Sequence, residues 1–568
     1  MGMRRLAVLG ILGVMMGGMF VSFPANAGDV ADAVYHNGTI HTINGAFETA
    51  QALAVKDGAF IYAGDNEAAL AFVGEGTRVV DLEGKAVIPG IVEAHLHYPL
   101  LGQMLLQVQA HWKPKEEILA AVKAAYPVAK ENGEWIVGRG WNQEVWEGQL
   151  FPLKEELDAL APDVPVVLRR TCGHAAWVNS KALEMGGITR DTPDPQGGEI
   201  IKDAQGEPTG VLIDTAMNLV TNLIPPFTEE QHRRALLAAQ EELLGYGITT
   251  AHDLGSSMEM IGRMEKLYES GDLKIRLYVM GSSGGYGQSA EDAYNAFYEM
   301  GPRIGLYDNR LTVRTVKFFA DGSLGARSAW MLEEYSDKPG HTGNPRYEDE
   351  EIYQLVLQAR KAGFQASTHA IGDGANHQML NVYERVLGEI PEPQDHRFRI
   401  EHAQVVLLED IPRFAQLGVL PSMQSVHATS DKNMAEDRVG PERIKGAYAW
   451  RKLLDAGSIL PNGSDAPVEL VNPFHGFYAA VTRMDREGTP EGGWYPEEKM
   501  TREEMLRSFT NWGAYAGFEE DIKGSIETGK LADFVVLDRD PMNCPEEELK
   551  DIQALLTVIG GAEVFSRH

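Results

Sequence analysis

Short β-rich runs alternate with helical stretches between residues 86 and 467, and this alternation limits the possible folds most strongly. Eight runs have the length and aliphatic content of buried strands. They read AVIPGIVEAHLH, GITTAHD, KIRLYVMG, TVKFFADG, FQASTHAIGD, FRIEHA, VLPSMQS and ILPNGSDAP. Such alternation is typical of βα units that build a parallel sheet. Eight parallel strands with helices between them predict an α/β fold, the TIM (β/α)8 barrel.

β-rich sequence also flanks the predicted barrel on both sides. Residues 28–87 contain short strand-like runs with turn signals, and residues 506–568 end in similar runs. We expect these two segments to form one composite β-sandwich from both termini, with the barrel at 88–505. The interval of about 100–245 follows the first barrel strand and is too long for one crossover helix, so it is predicted to hold an insertion.

The first 27 residues have the pattern of an export signal. Two arginines precede an apolar run over residues 6–23, and an Ala-Asn-Ala site ends at Ala27. This pattern predicts a signal peptide (1–27) cleaved after Ala27 and an exported, periplasmic protein without a stable membrane anchor. The apolar run is longer than usual for a signal peptide, so an uncleaved anchor is the alternative.

Charge and cysteine content exclude several classes of protein. The net charge of −31 disfavours a nucleic-acid partner, because phosphate-binding surfaces need clustered Lys and Arg. Cys172 and Cys544 are the only cysteines, and neither belongs to a CxxC pair. A disulfide framework and a cysteine zinc site are therefore excluded. Any metal is expected on histidine, carboxylate or less usual ligands.

Polar residues stand at the ends of several predicted strands, where a TIM barrel has its active site. His95 and His97 end the first run and share one face, because side chains alternate along a strand. His369, His402 and Asp465 stand at the ends of the fifth, sixth and eighth runs. Four imidazoles and a carboxylate at one rim suit one or two divalent metal ions, with zinc as the expected metal.

Lys317 lies among apolar residues of the fourth run, so the segment is predicted to be buried. A charged ammonium beside a divalent cation is unfavourable, because desolvation and like charge both oppose it. The side chain can be a neutral amine, or CO₂ can convert it to a carbamate anion that bridges two metals. A lysine that points outward and pairs with a carboxylate is the third interpretation.

Asp465, in NGSDAP, is the predicted catalytic residue. A divalent metal lowers the pKa of bound water to about 7 and makes hydroxide available. Asp465 can accept a proton as metal-bound hydroxide attacks a carbonyl, and can deliver it to the leaving amine. The alternative is a simple helix N-cap at this aspartate.

Together these residues resemble the amidohydrolase superfamily and, within it, the amidohydrolase family 3 branch. The resemblance is carried by motifs over nearly all of the chain after residue 27, including PGIVEAHLH, VKFFADGSLGARSA, THAIGDGAN, RIEHAQ and GSDAPVE. It implies a TIM barrel with a composite β-sandwich, and Asp465 as both acid/base and metal ligand. It implies a carboxylated, bridging Lys317. The further metal ligands that it implies are His95, His97, His369 and His402.

In this branch the insertion closes over the barrel mouth. His174 and Trp177, in CGHAAWVNS, are then candidates for substrate binding, and a structural role for either is the alternative. His427 can reach the pocket from the segment after the seventh strand, but we do not assign it as a ligand.

The leading functional prediction is a metal-dependent hydrolase that cleaves a non-peptide carbon–nitrogen bond of a small molecule, with a linear amide as the expected target. The same machinery serves cyclic amides, esters or lactones and deaminase substrates, because substrate choice resides in loops. An inactive secreted binding or regulatory protein on the same barrel is the alternative from another class, and the complete ligand set argues against it. No HExxH or GxSxG motif supports a peptidase. The sequence is compatible with a homo-oligomer.

Overall fold

The structure is a computed structural model that describes residues 30–111, 113–171, 174–282 and 290–567. The predicted signal peptide and its cleavage site after Ala27 lie outside these residues, so export stays a proposal. In the described ranges, no helix combines the length and the apolar character needed to cross a bilayer.

The chain begins with the strands of a β-sandwich. The elements are β1 (Ala33–His36), β2 (Thr39–His41), β3 (Thr49–Ala50), β4 (Ala52–Lys56), β5 (Ala59–Gly64), α1 (Asn66–Leu70), β6 (Arg78–Asp81) and β7 (Ala86–Pro89). One sheet has the order β5-β4-β1-β6, in which β1 is antiparallel to β4 and parallel to β6. Strands β2, β3 and β7 belong to the other sheet, which the C-terminal strands complete.

The first barrel strand is followed by an insertion with its own sheet. The elements are β8 (Ile91–Leu96), α2 (Tyr98–Leu105), β9 (Val108–Gln109), α3 (Lys115–Asn132), β10 (Ile136–Trp141), α4 (Lys154–Asp158), β11 (Val166–Arg170), β12 (Ala175–Val178), α5 (Ser180–Met185), β13 (Gly198–Lys202), β14 (Pro208–Asp214) and α6 (Asn218–Thr221). Strands β9 to β14 form a mixed sheet in the order β13-β14-β12-β11-β10-β9. Its core contains Trp141, Trp146 and Trp177.

The remaining barrel elements alternate strands and helices. They are α7 (Glu229–Gly245), β15 (Ile248–Ser256), α8 (Met258–Glu269), β16 (Arg276–Gly281), α9 (Ala290–Met300), β17 (Arg303–Gly305), α10 (Leu306–Asn309), β18 (Leu311–Phe319), α11 (Asp349–Lys361), β19 (Gln365–Ala370), α12 (Asp373–Glu389), β20 (Arg399–His402), α13 (Ile411–Leu417), β21 (Leu420–Ser422), α14 (Ser425–Asp431), α15 (Ala435–Arg443), α16 (Trp450–Asp455) and α17 (Pro473–Thr482). Parallel strands in the order β21-β20-β19-β18-β16-β15-β8 form the barrel sheet. The predicted α/β fold with a TIM barrel is confirmed.

The helix α7 packs on α2, the helix that directly follows the first barrel strand. The Tyr98 hydroxyl donates to the Leu236 carbonyl oxygen at 2.6 Å. A Cβ on Gly102 would lie 2.0 Å from the carbonyl oxygen of Ala235, so only glycine permits this approach. The chain from α7 onward therefore belongs to the barrel, although the predicted insertion extended to about residue 245.

The eighth predicted strand, ILPNGSDAP, is an extended segment without a regular ladder. Asn462 forms one parallel bridge to Met423, and Asp465 N donates to the His95 carbonyl oxygen at 2.7 Å. Two prolines in the segment lack the N–H that a ladder needs, and Asp465 has a φ of 59°, outside the β region. The segment still joins both neighbouring strands, so it closes the barrel and brings Asp465 to the rim.

The C-terminal elements complete the sandwich. They are α18 (Arg502–Ser508), α19 (Asn511–Ala516), β22 (Phe534–Leu537), β23 (Ala554–Ile559) and β24 (Ala562–Ser566). The second sheet has the order β24-β23-β22-β7-β2-β3, with Val536 of β22 opposite Val87 of β7. The composite sandwich from both termini is thus present. Its C-terminal strands begin at Phe534, and α18, which spans the predicted boundary at residue 506, precedes them.

A buried ion pair links the barrel to the sandwich. Arg276 of β16 donates Nε to Asp533 Oδ2 at 2.6 Å and Nη2 to Asp533 Oδ1 at 2.9 Å. Each side chain is only 3% exposed. Gly560 N also donates to Asp533 Oδ1, at 2.7 Å. Burial raises the pKa of Asp533, but Arg276 outweighs this effect and lowers it. The aspartate is therefore held as a carboxylate.

Replacing Asp533 with asparagine is expected to destabilise the protein by about 3–5 kcal/mol, because Arg276 is left as an uncompensated buried charge. Calorimetric unfolding of Asp533→Asn beside the wild type measures the effect. Asp521→Asn, at an exposed position, is the matched control and is expected to unfold within about 0.5 kcal/mol of the wild type. Equal transition temperatures for Asp533→Asn and the wild type would contradict the prediction.

Candidate metal centre

Three ligand-type side chains meet at the rim of the barrel. The Nε2 atoms of His95 and His97 lie 3.3 Å and 3.2 Å from the same oxygen, Asp465 Oδ1. One donor atom from each residue lies within 4.8 Å of the other two. Adjacent ligands of a tetrahedral ion with bonds of about 2.0–2.1 Å are about 3.3 Å apart. The spacing of this group therefore fits a tetrahedral metal ion.

The hydrogen bond between His95 Nδ1 and Glu401 determines that the other ring nitrogen, Nε2, faces Asp465. His95 Nδ1 donates to Glu401 Oε2 at 2.6 Å. Burial raises the pKa of Glu401, but Arg399 and His95 hold it well below its usual range, so the acceptor is ionised. Burial lowers the pKa of His95, but Asp465 and Glu401 outweigh burial and raise it. Its Nε2 faces Asp465 Oδ1, a buried oxygen without a hydrogen-bond partner in the described part of the chain. The site thus attracts a positive charge between these atoms, and a divalent cation can take the place of the proton, so the donor set fits a divalent metal.

A second group of ligand-type side chains shares Asp465. His402, at the end of β20, donates Nδ1 to Gln424 Oε1 at 2.7 Å, which leaves its Nε2 lone pair free. The ring of His427, in α14, stacks on the His402 ring with centroids 5.9 Å apart and planes at 19°. Donor atoms of His402, His427 and Asp465 lie within 4.8 Å of one another. Sequence reasoning placed His427 within reach of the pocket but did not assign it as a ligand.

Lys317 is buried in the barrel interior. It is 1% exposed, and among the described residues its Nζ forms no hydrogen bond or ion pair. Nζ lies 5.3 Å from the centroid of the Phe319 ring. Burial lowers the pKa of Lys317 to about 8, against the opposing charges of Glu401 and Asp465. Lys317 is therefore not the outward, ion-paired lysine that the sequence left open.

His369 is also close to the centre, but its Nε2 is engaged elsewhere. The ring packs edge-to-face on His402 with centroids 4.6 Å apart. Nε2 donates to the Gly322 carbonyl oxygen at 3.1 Å and lies 3.4 Å from Asp321 Oδ1. His369 belongs to neither of the two three-residue groups, so its role as a ligand stays a prediction.

Glu93 links the segment ILPNGSDAP to the first barrel strand, β8, through hydrogen bonds. Its fully buried Oε1 accepts from His95 N at 3.1 Å and from Ser464 N at 2.9 Å. A Cβ on Gly463 would lie 2.2 Å from this oxygen and 2.5 Å from the backbone N of His95, so only glycine fits. These bonds help offset the strain of about 1–3 kcal/mol that the left-handed Asp465 adds. Sequence reasoning missed Glu93, although it shares the strand face of His95 two residues away.

His174 and Trp177 lie in the insertion, in different surroundings. The His174 side chain is 77% exposed, and its Nδ1 donates to Asp214 Oδ1 at 2.8 Å. Trp177 is fully buried, and its indole N–H donates to the Leu153 carbonyl oxygen at 3.0 Å. In this conformation the tryptophan packs the core of the insertion and has no free surface. The proposed contact of both residues with a substrate stays a prediction.

Comparison with known proteins agrees with this geometry. Residues 78–565 match the profile of the amidohydrolase family. The chain belongs to the amidohydrolase family. The predicted resemblance is thereby confirmed. This amidohydrolase is 36% identical over 553 residues to Protein LONG AFTER FAR-RED 3 of Arabidopsis thaliana, which covers 95% of this chain and 92% of the relative.

Two further similarities bear on its chemistry. The amidohydrolase is 27% identical over 554 residues to N-substituted formamide deformylase of Arthrobacter pascens, covering 94% of this chain and 98% of the relative. An uncharacterized metal-dependent hydrolase from Pyrococcus furiosus superposes with a TM-score of 0.71 at 29% identity, covering 90% of this chain and 100% of that chain. This amidohydrolase is therefore a metal-dependent hydrolase of the amidohydrolase type.

Proposed function

We propose that this amidohydrolase cleaves a non-peptide carbon–nitrogen bond, and that its substrate is a linear amide such as an N-formyl or N-acyl amine. The observation that carries the proposal is the buried Oδ1 of Asp465, which has no hydrogen-bond partner in the described ranges and faces two imidazole nitrogens. A carboxylate in this position suits both metal binding and proton transfer. The similarity to N-substituted formamide deformylase supports the amide as the target.

His95, His97 and Asp465 would hold the metal, which we propose is zinc, and Lys317 would add a carbamate ligand. Zinc supplies a Lewis acid that polarises a carbonyl and lowers the pKa of water to about 7. Glu401 orients His95 and increases the basicity of its Nε2 through the 2.6 Å hydrogen bond to Nδ1. A neutral amine is the form of a lysine that reacts with CO₂, and the lowered pKa of Lys317, about 8, favours that form.

Asp465 is the proposed proton carrier. Burial raises its pKa, but the surrounding imidazoles, His95 first, outweigh burial and hold the pKa well below its usual range. The side chain is therefore ionised and can accept the proton of the attacking water. Asp465 is 6% exposed, so little of its surface contacts bulk water. The same carboxyl then donates the proton to the nitrogen of the leaving amine.

A substrate screen of the zinc-loaded protein tests the proposal. We expect hydrolysis of N-formyl and N-acyl amines, followed as release of the free amine, to exceed hydrolysis of cyclic imides and lactones. Protein stripped of metal with a chelator is the matched control and is expected to regain activity with added Zn²⁺. If no amide, imide or lactone is turned over after metal loading, the hydrolase proposal fails and the binding or regulatory alternative is favoured.

A further inference from the structure

We propose that His427 is a metal ligand. With His402 and Asp465 it forms a second metal position, beside the one formed by His95, His97 and the same aspartate. The inference rests on the metal dependence in the proposed function. It extends that function, because the Asp465 carboxylate then joins two metal positions in one centre.

The two oxygens of Asp465 face different histidines. Oδ1 lies 3.3 Å and 3.2 Å from the Nε2 atoms of His95 and His97. Oδ2 lies 3.7 Å from Nε2 of His427. For bonds of about 2.0–2.1 Å, a separation of 3.7 Å corresponds to an angle of about 130° at the metal, which a distorted tetrahedral or five-coordinate ion allows. One carboxylate can therefore serve both positions without a change in the backbone.

The surroundings of His427 leave its ligand atom unused by the protein. The side chain is 12% exposed, and Nε2 is buried without a hydrogen-bond partner among the described residues. A buried nitrogen without a partner is unfavourable, because it has lost its hydrogen bonds to water. A bond to a metal at Asp465 Oδ2 removes that penalty. The parallel ring of His402, whose Nδ1 is held by Gln424, offers the second nitrogen of the group.

In the structure, His369 does not occupy the position of His427 beside His402 and Asp465. Its Nε2 donates to the Gly322 carbonyl oxygen, and its atoms do not belong to the group around Asp465. We therefore include a histidine from the segment after the seventh strand in the second position, and His369 stays a predicted ligand of the same centre. A competing role for His427 is a hydrogen bond to the substrate, and the two roles differ in what they do to metal binding before any substrate is added.

Zinc titration of the metal-free, full-length protein distinguishes the two roles. Isothermal titration and elemental analysis are expected to give two Zn²⁺ per chain for the wild type. His427→Ala and His427→Gln are expected to keep one tightly bound ion and to bind the second at least about 100-fold more weakly, since removing even an outer-shell partner costs up to about that factor. The glutamine variant preserves side-chain bulk, and circular dichroism without metal checks that both variants fold.

His232→Ala is the matched control. This imidazole lies on α7, where it contacts the ring of Phe227, and its removal is expected to leave both zinc affinities unchanged. The inference is overturned if both His427 variants bind two ions as tightly as the wild type, or if the wild type binds only one. Amide hydrolysis is measured separately. A one-ion wild type that cleaves amides refutes the second position alone, whereas a two-ion protein without hydrolysis refutes the proposed function alone.

Discussion

Replacing Asp465 with asparagine is expected to lower kcat for amide hydrolysis by about 10²–10⁴-fold, the range that a positioned acid or base contributes. The amide cannot accept the proton of the attacking water or return it to the leaving amine. Asparagine keeps the shape of the residue and one oxygen donor, so at least one metal ion per chain is expected to stay bound. Steady-state kinetics on the metal-loaded variant, with elemental analysis of the same sample, separates the two effects.

Asp437→Asn is the matched control for this substitution, because Asp437 is an exposed aspartate on α15. Its kinetics are expected to equal those of the wild type. An Asp465→Asn protein that turns over at the wild-type rate would remove this residue from the proposed proton transfer. Loss of all metal together with activity would instead assign Asp465 mainly to ligation.

The second large effect is expected at Lys317. Lys317→Ala removes the proposed carbamate and should weaken metal binding by at least about 100-fold, with loss of most activity from metal-limited samples. Short carboxylic acids such as formate, acetate or propionate are expected to restore part of the activity, because their carboxylate can occupy the space of the carbamate. Elemental analysis and kinetics with and without the added acid measure both outcomes.

A spectroscopic readout makes the test of Lys317 independent of turnover. Protein equilibrated with ¹³C-bicarbonate is expected to show a carbamate ¹³C signal that is absent from Lys317→Ala. Lys338→Ala, at an exposed position, is the control and should keep the signal, the metal and the activity. A Lys317→Ala protein with normal metal content and activity would exclude the proposed carbamate ligand.

Much of the fold was predictable because its signals are local. Strand periodicity and the strand–helix alternation are properties of neighbouring residues, so they predicted the barrel and the sandwich at both termini. The same periodicity put His95 and His97 on one face. The prediction was least accurate for ILPNGSDAP, where two prolines and the left-handed Asp465 interrupt the ladder. Apolar content alone did not distinguish that segment from a regular strand.

The contacts around the metal centre could not be predicted from local sequence patterns. Glu401 reaches His95 across 306 positions of the chain, and no local pattern connects them. His427 lies close to Asp465 because of the direction in which the chain turns after β21. That direction depends on packing rather than on periodicity. Trp177 had two interpretations from the sequence, a substrate contact and a structural role, and the motif alone could not show that the folded insertion buries the ring.

The sequence by itself therefore determined the barrel, the composite sandwich and the residue types available for a metal, because burial and side-chain alternation are encoded residue by residue. Only the tertiary structure decided which nitrogens and oxygens face one another at Asp465. Barrel closure sets the distance between His95 and Asp465, and closure depends on contacts between segments that are hundreds of residues apart.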